Sequence, residues 1–249
     1  MIHRHFTADC VNLVVNDPSV YDWVRGPITG YLDLSGLVQN PNNYFLMGEH
    51  GGVVFLQHQP GLYEAHTQIL PAGRGQWAVE IVNECVDYMF THTDAMELVT
   101  KVPLGNLGAR ALVRKIPGNK IDYRLKNGWV HDGKVVPADI FGMRVQDWMA
   151  HTPGLEQSGQ WFHDRLVEEY AKVGKEHKLH DEDATHDRYV GAAIQMIMGG
   201  QPQKAVVLYN GWASISGYAP LSIVTMNPLV IDIQESLIVV RDNSDFWVM

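Results

Sequence analysis

Two side chains able to carry a proton lie two residues apart in the run Leu62-Tyr63-Glu64-Ala65-His66-Thr67-Gln68-Ile69-Leu70. The run alternates as a strand does, so Glu64 and His66 point to one face. A carboxylate and an imidazole so placed can relay the proton of an attacking amine, or form a buried, hydrogen-bonded pair. The chain continues Leu70-Pro71-Ala72-Gly73-Arg74-Gly75-Gln76-Trp77-Ala78 and then keeps helical apolar spacing to Phe90. A strand, a Gly-rich turn and a helix in that order leave several backbone N–H groups without intrahelical acceptors, which makes an anion site suited to phosphate.

These groups need elements to hold them. The residues Thr7-Ala8-Asp9 can cap a helix from about Cys10 to Asn16, which Asp17-Pro18-Ser19 breaks. Strand-like runs at Tyr44 to Gly48, Gly52 to His58 and Leu62 to Leu70 are separated by Gly-containing turns, as in an antiparallel meander. The helix after the Gly-rich turn is followed by a strand from Met96 to Pro103 and by a helix opened by Asn106. Two more strands are expected at Ile121 to Leu125 and Lys134 to Val145, with turns at Lys126-Asn127-Gly128 and His131-Asp132-Gly133.

The order strand, Gly-rich loop, helix, strand, Asn-helix resembles the GNAT (Gcn5-related N-acetyltransferase) fold over roughly residues 1 to 145. The family's pyrophosphate loop reads Arg/Gln-x-x-Gly-x-Gly/Ala between a long strand and a helix, and Arg74-Gly75 resembles its opening. Counted from Arg74, the two later small positions fall on Trp77 and Val79, so the resemblance implies a degenerate loop obstructed by the Trp77 indole. The segment from Asn106 to Lys115 is similar to the family's Asn-x-x-Ala-x-x-Leu-Tyr-x-Lys helix near the acceptor end of CoA. Asn106, Ala109, Leu112 and Lys115 fall in register, while Val113 stands where many members carry the Tyr that protonates the departing thiolate. Valine has no proton to give. The resemblance assigns Leu70, Arg74, Gly75 and Asn106 to cofactor binding and Glu64 or His66 to the base.

The fold class expected is therefore α/β (α+β), a GNAT-like mixed central sheet flanked by helices in residues 1–146, followed by a smaller extension in 147–249. In that extension Gln157 to Lys178 is amphipathic, with Trp161, Leu166, Tyr170 and Val173 spaced for one face. Helices from Glu182 to Met198 and Gln201 to Tyr218 form a hairpin across Gly199-Gly200. Strands follow at Leu221 to Met226 and Leu229 to Val240, the latter able to act as an edge. The apolar terminus Asp245-Phe246-Trp247-Val248-Met249 either folds back on its own domain or inserts into a partner.

Composition narrows the classes. The net charge is −9, with −2 in residues 1–144 and −7 in 145–249, which argues against nucleic acid as a partner. No apolar run approaches the ~20 residues that span a bilayer, and the N-terminus lacks a signal-peptide core, so no membrane partner is expected and the chain is expected in the cytoplasm where it is made. Cys10 and Cys85 read as two small buried side chains on separate helices. The cluster His177, His180, Asp181, Glu182, Asp183, His186 and Asp187 reads as a solvated linker or, alternatively, a divalent-metal site; no metal is assigned.

The wording around Tyr63 to Thr67 and Thr100 to Asn106 is similar to GNAT-like proteins encoded by tailed bacteriophages, several of them virion-associated. That resemblance implies a virion structural protein that keeps the fold as a scaffold without acetyltransferase activity or cofactor. Its partners would be head, portal or tail proteins, with homo-oligomers possible. The alternative is an active N-acetyltransferase that uses acetyl-CoA and an amine acceptor.

Overall fold

A computed structural model of the chain describes residues 1–172, 184–226, 229–233 and 236–240. The chain divides into two compact units, one of Met1–Phe90 with Ala95–Trp148 and one of Thr91–Asp94 with Met149–Met249.

The first unit runs β1 (His3–Arg4), α1 (Asp9–Val15), α2 (Pro18–Val24), α3 (Ser35–Val38), β2 (Tyr44–Gly48), β3 (Gly51–Gln59), β4 (Leu62–Ile69), a 3-10 turn (Pro71–Gly73), α4 (Gln76–His92), β5 (Glu97–Pro103), α5 (Leu107–Val113), β6 (Lys120–His131) and β7 (Lys134–Arg144). Among the described residues the strands form a seven-stranded sheet in the order β1-β2-β3-β4-β5-β7-β6. Every neighbouring pair is antiparallel except β4 and β5. Parallel neighbours need a crossover, and α4 supplies it. Its Ala78, Ile81, Val82, Cys85, Val86, Met89 and Phe90 are all buried, a stripe at helical spacing that packs on the sheet. On the opposite face Val11, Val14 and Val15 of α1 close over Phe45, Met47 and Val54.

Local chemistry explains most of the boundaries and corrects three. The break at Asp17-Pro18 also starts α2: Asp17 accepts from Ser19 N at 2.9 Å and Pro18 takes the first helical position. Helix α1 is capped at Ala8 with no side-chain hydrogen bond, not by Thr7 or Asp9. The expected turn at Lys126-Asn127-Gly128 is a register shift inside the continuous strand β6, between Leu125 and Trp129. Gly128 fits there because a Cβ would meet that of Ala138 at 2.6 Å. The second expected turn is present, with Asp132 and Gly133 at φ 48° and 68°, the left-handed pair of a tight hairpin.

Helix α6 (Val145–His151) runs across the division at Trp148, and the second unit continues with α7 (Leu155–Lys172), α8 (Ala184–Met198), α9 (Pro202–Ser216), β8 (Leu221–Met226), β9 (Leu229–Ile233) and β10 (Ser236–Val240). Gly159 and Gly191 let α7 and α8 approach closely, since a Cβ on either would run into the carbonyl of Asp187 or Leu155. The run from Leu229 to Val240, expected as one strand, is two antiparallel strands, with Ser236 opposite Ile233, in a β10-β9-β8 sheet. Val173 and the helical expectation beyond Lys172, His177 to Asp183, and the terminus from Asp245 lie outside the described residues. Of the histidine-carboxylate cluster, His186 and Asp187 are described; His186 is buried against Tyr209, stacked on Tyr218 and 3.8 Å from Asp187. No helix among the described residues is long and apolar enough to cross a membrane.

Candidate functional site

Strands β4 and β5 pair over only three rungs, Leu62 with Glu97, Tyr63 with Leu98 and Glu64 with Val99. Thr100 Oγ1 donates to Ala65 O at 2.8 Å, one last tie before the strands diverge. Beyond it Ala65, His66, Thr67 and Ile69 on one strand and Lys101 to Pro103 on the other line a cleft of about 670 Å³. Facing edges of diverging strands offer backbone donors and acceptors to an extended chain. Helix α4 walls the cleft with Ala78, Val79, Val82 and Val86, and α5 with Ala109, Leu112 and Val113.

The Gly-rich turn sits at the mouth. Gly75 has φ +104° and no atom within 4 Å of where a Cβ would stand, so its backbone is open to a ligand at the start of α4. Arg74 lines the cleft and its Nη2 donates to Ser19 O at 3.0 Å. The expected obstruction by Trp77 is absent. Its indole leans away from the cleft onto Gly48, Gly73 and the His50 ring, 5.1 Å between centroids. A Cβ on Gly73 would stand 2.7 Å from that indole, which is why a glycine is needed there. Because α4 starts at Gln76, the loop pattern counted back from the helix puts its small positions on Gly73 and Gly75 and its Arg/Gln position on Leu70. Val79 does line the cleft.

Asn106 also lines the cleft, but its Oδ1 accepts from Ala109 N at 3.0 Å and so caps α5. Helix α5 is further tied down by Arg110, 3.4 Å from the fully buried Asp139, which Arg124 also holds at 2.6 Å. The Arg124 hydrogen bond keeps the Asp139 carboxyl below its usual range. Val113 is buried against Val102 and Phe141.

Strand alternation carries Glu64 and His66 to the same face, as expected, and the structure adds a third group. Glu64 Oε2 lies 2.8 Å from His58 Nε2 and Oε1 lies 3.6 Å from His66 Nε2. His66 lines the cleft, Glu64 stands behind it, and His58 is half exposed. The His66 Nε2 is buried and without a hydrogen-bond partner. Burial holds the His66 pKa below the ordinary imidazole value, Lys101 and His58 add to this, and Glu64 opposes it. The ring is thus neutral and able to take a proton at neutral pH. Sequence reading missed His58, because it stands at a register shift between Gln57 and Gln59, where strand alternation gives no signal.

On the same side of the fork Trp23 lines the cleft and is stacked on His131 at 3.9 Å. Trp129 faces it too, with its Nε1 buried and unpartnered. These aromatic walls were not foreseen, since residues 23 and 129 lie far apart in sequence, one on α2 and the other on β6. The charged side chains lining the cleft are Arg74, Lys101 and Lys115, with no carboxylate, in a chain of net charge −9. Cys10 is half-buried rather than buried, Cys85 is buried, and both are free.

No protein-family model matches the sequence, and no curated protein matches it. Among solved structures, the chain is similar to a spermidine N-acetyltransferase from Vibrio cholerae in complex with CoA and spermine. Identity is 16%, the match covers 60% of this chain and 97% of that one, and the TM-score is 0.50. An acetyltransferase of the GNAT family from Bacillus anthracis is 15% identical over 57% of this chain and 93% of that one, with a TM-score of 0.47. Sequence identity this low speaks to architecture alone: with its mixed seven-stranded sheet flanked by helices, the chain has a GNAT-like fold.

Proposed function

We propose that the protein is an N-acyltransferase that moves an acyl group from acyl-CoA, acetyl-CoA in the simplest case, to an amine. The observation that carries this reading is the β4/β5 fork, open along its length and lined by three cations and no carboxylate in an acidic chain. That donor set fits a polyanion with an amide-bearing arm: open glycine backbone and α4 N–H groups at the mouth, apolar walls and unpaired strand edges within.

Acyl-CoA would bring an activated thioester. The protein would supply the rest. Gly75, Arg74 and the first turn of α4 hold phosphate, and the strand edges hold the arm. As the amine nitrogen bonds the thioester carbon and the C–S bond breaks, His66 takes the proton that the amine loses and Glu64, flanked by His58, steadies the resulting imidazolium; CoA leaves as the thiolate, which solvent protonates, and His66 returns its proton to solvent. Calorimetric titration with acetyl-CoA tests the reading. Micromolar binding supports it, and silence at millimolar ligand overturns it.

A second reading, a virion-associated scaffold docking head, portal or tail proteins or copies of itself, is favoured by one observation. Val113 is packed in the core where the resemblance implies a proton-donating Tyr. Failure to co-sediment with purified particles would remove this reading.

A further inference from the structure

The cleft does not stop at the fork. Leu98 belongs to the paired part of β5, opposite Tyr63, and Met143 pairs with Leu98 from β7, yet both face the cavity. Val86 of α4 faces it as well, eleven residues beyond Gly75, or roughly 16 Å along the helix. Ile116, just past α5, closes the far side. These side chains are at most 8% exposed. A protein interior is normally close-packed, so core side chains that border a continuous space mark a built pouch. Asn119, which also lines the cavity, turns its amide to Val113 O at 3.4 Å. Val113 enlarges the same space, because a bulkier ring there would reach into it.

We propose that the acyl group this protein takes is longer than acetyl, a medium-length alkyl chain housed in the pouch between α4 and α5 beneath the paired segment of β4 and β5. The inference rests on the acyl-CoA reading above and specifies its donor. An acetyl group ends near the fork and leaves the pouch unfilled, whereas each further methylene buried there tightens binding about fourfold.

The test is calorimetric titration of the full chain with CoA, acetyl-CoA and hexanoyl-CoA, repeated on Val86→Phe and Val86→Met. The expected result is hexanoyl-CoA binding at least tenfold tighter than acetyl-CoA. Val86→Phe then abolishes that difference, read as the ratio of the two affinities, and Val86→Met reduces it. Should Val86→Phe lose CoA binding through misfolding, the Val86→Met chain decides. Equal affinity for the two acyl-CoAs, with CoA bound, overturns the long-chain donor and leaves the acyltransferase standing. A hexanoyl preference untouched by either variant places the chain elsewhere and overturns the pouch. No binding of any of the three, CoA included, overturns both.

Discussion

His66 turns one ring nitrogen to Glu64, and its pKa sits low through burial, so in the proposed reaction it is the residue that takes the proton. His66→Ala should lower the acylation rate at least 100-fold while leaving acyl-CoA affinity unchanged, as measured by turnover and calorimetry on the same sample. Glu64→Gln removes the charge that raises the His66 pKa, so the acid limb of the pH–rate profile should move to lower pH. Asp87 is a different case. It accepts from Trp148 Nε1 at 2.6 Å, and burial raises its pKa to about 6. Between the ordinary carboxylate value and about 6 the folded chain binds a proton that the unfolded chain lacks. The contribution is present at low pH and lost as pH rises through 6. Denaturant melts should show it as about 1 kcal/mol more stability at pH 5 than at pH 7 from this group, and Asp87→Asn should remove the dependence.

At the scale of elements, the junction of β4 with α4 carries both packing and binding. Trp77 covers Gly48, Gly73 and His50 rather than the cleft. Trp77→Ala should therefore cost about 2 kcal/mol in urea unfolding. It should give no gain in CoA affinity, and a gain would restore the idea of a blocked loop. Gly75 is the reverse, needed for its backbone and not for packing, because it combines φ +104° with open space around the missing side chain. Gly75→Ala should destabilise by about 1 kcal/mol. It should also weaken CoA binding about tenfold, since the added methyl stands where phosphate meets the α4 N–H groups.

For the whole molecule, the contrast between a net charge of −9 and a cleft lined by Arg74, Lys101 and Lys115 sets the ionic-strength response. A polyanionic ligand is drawn to the cleft against the field of the remaining surface. Raising salt from about 0.05 to about 0.5 M should weaken CoA binding roughly tenfold by titration, whereas a neutral ligand would bind alike in both. The second unit needs its own tests. There His186 is buried against Tyr209 and packs on the rings of Trp212 and Tyr218, with its Nδ1 3.8 Å from Asp187.

Local pattern alone determined the meander, the Gly-rich turn before a helix, the shared face of Glu64 and His66, and the Asn106 helix start. Each depends on strand or helix periodicity, or on a cap, over fewer than about ten residues. The loop's register was not legible, because it depends on where α4 begins, and Gln76 rather than Ala78 begins it once Trp77 has found Gly73 to pack on. Nor was the division of Leu229 to Val240 into two strands, or the bulge at Gly128, since apolar runs read alike whether they continue or pair with themselves. The fork between β4 and β5, the meeting of His58 with Glu64, and the pouch behind Val86, Leu98 and Met143 belong to the tertiary structure. They arise between segments distant in sequence, where the sheet's register decides which side chains face the cleft and how much space they leave.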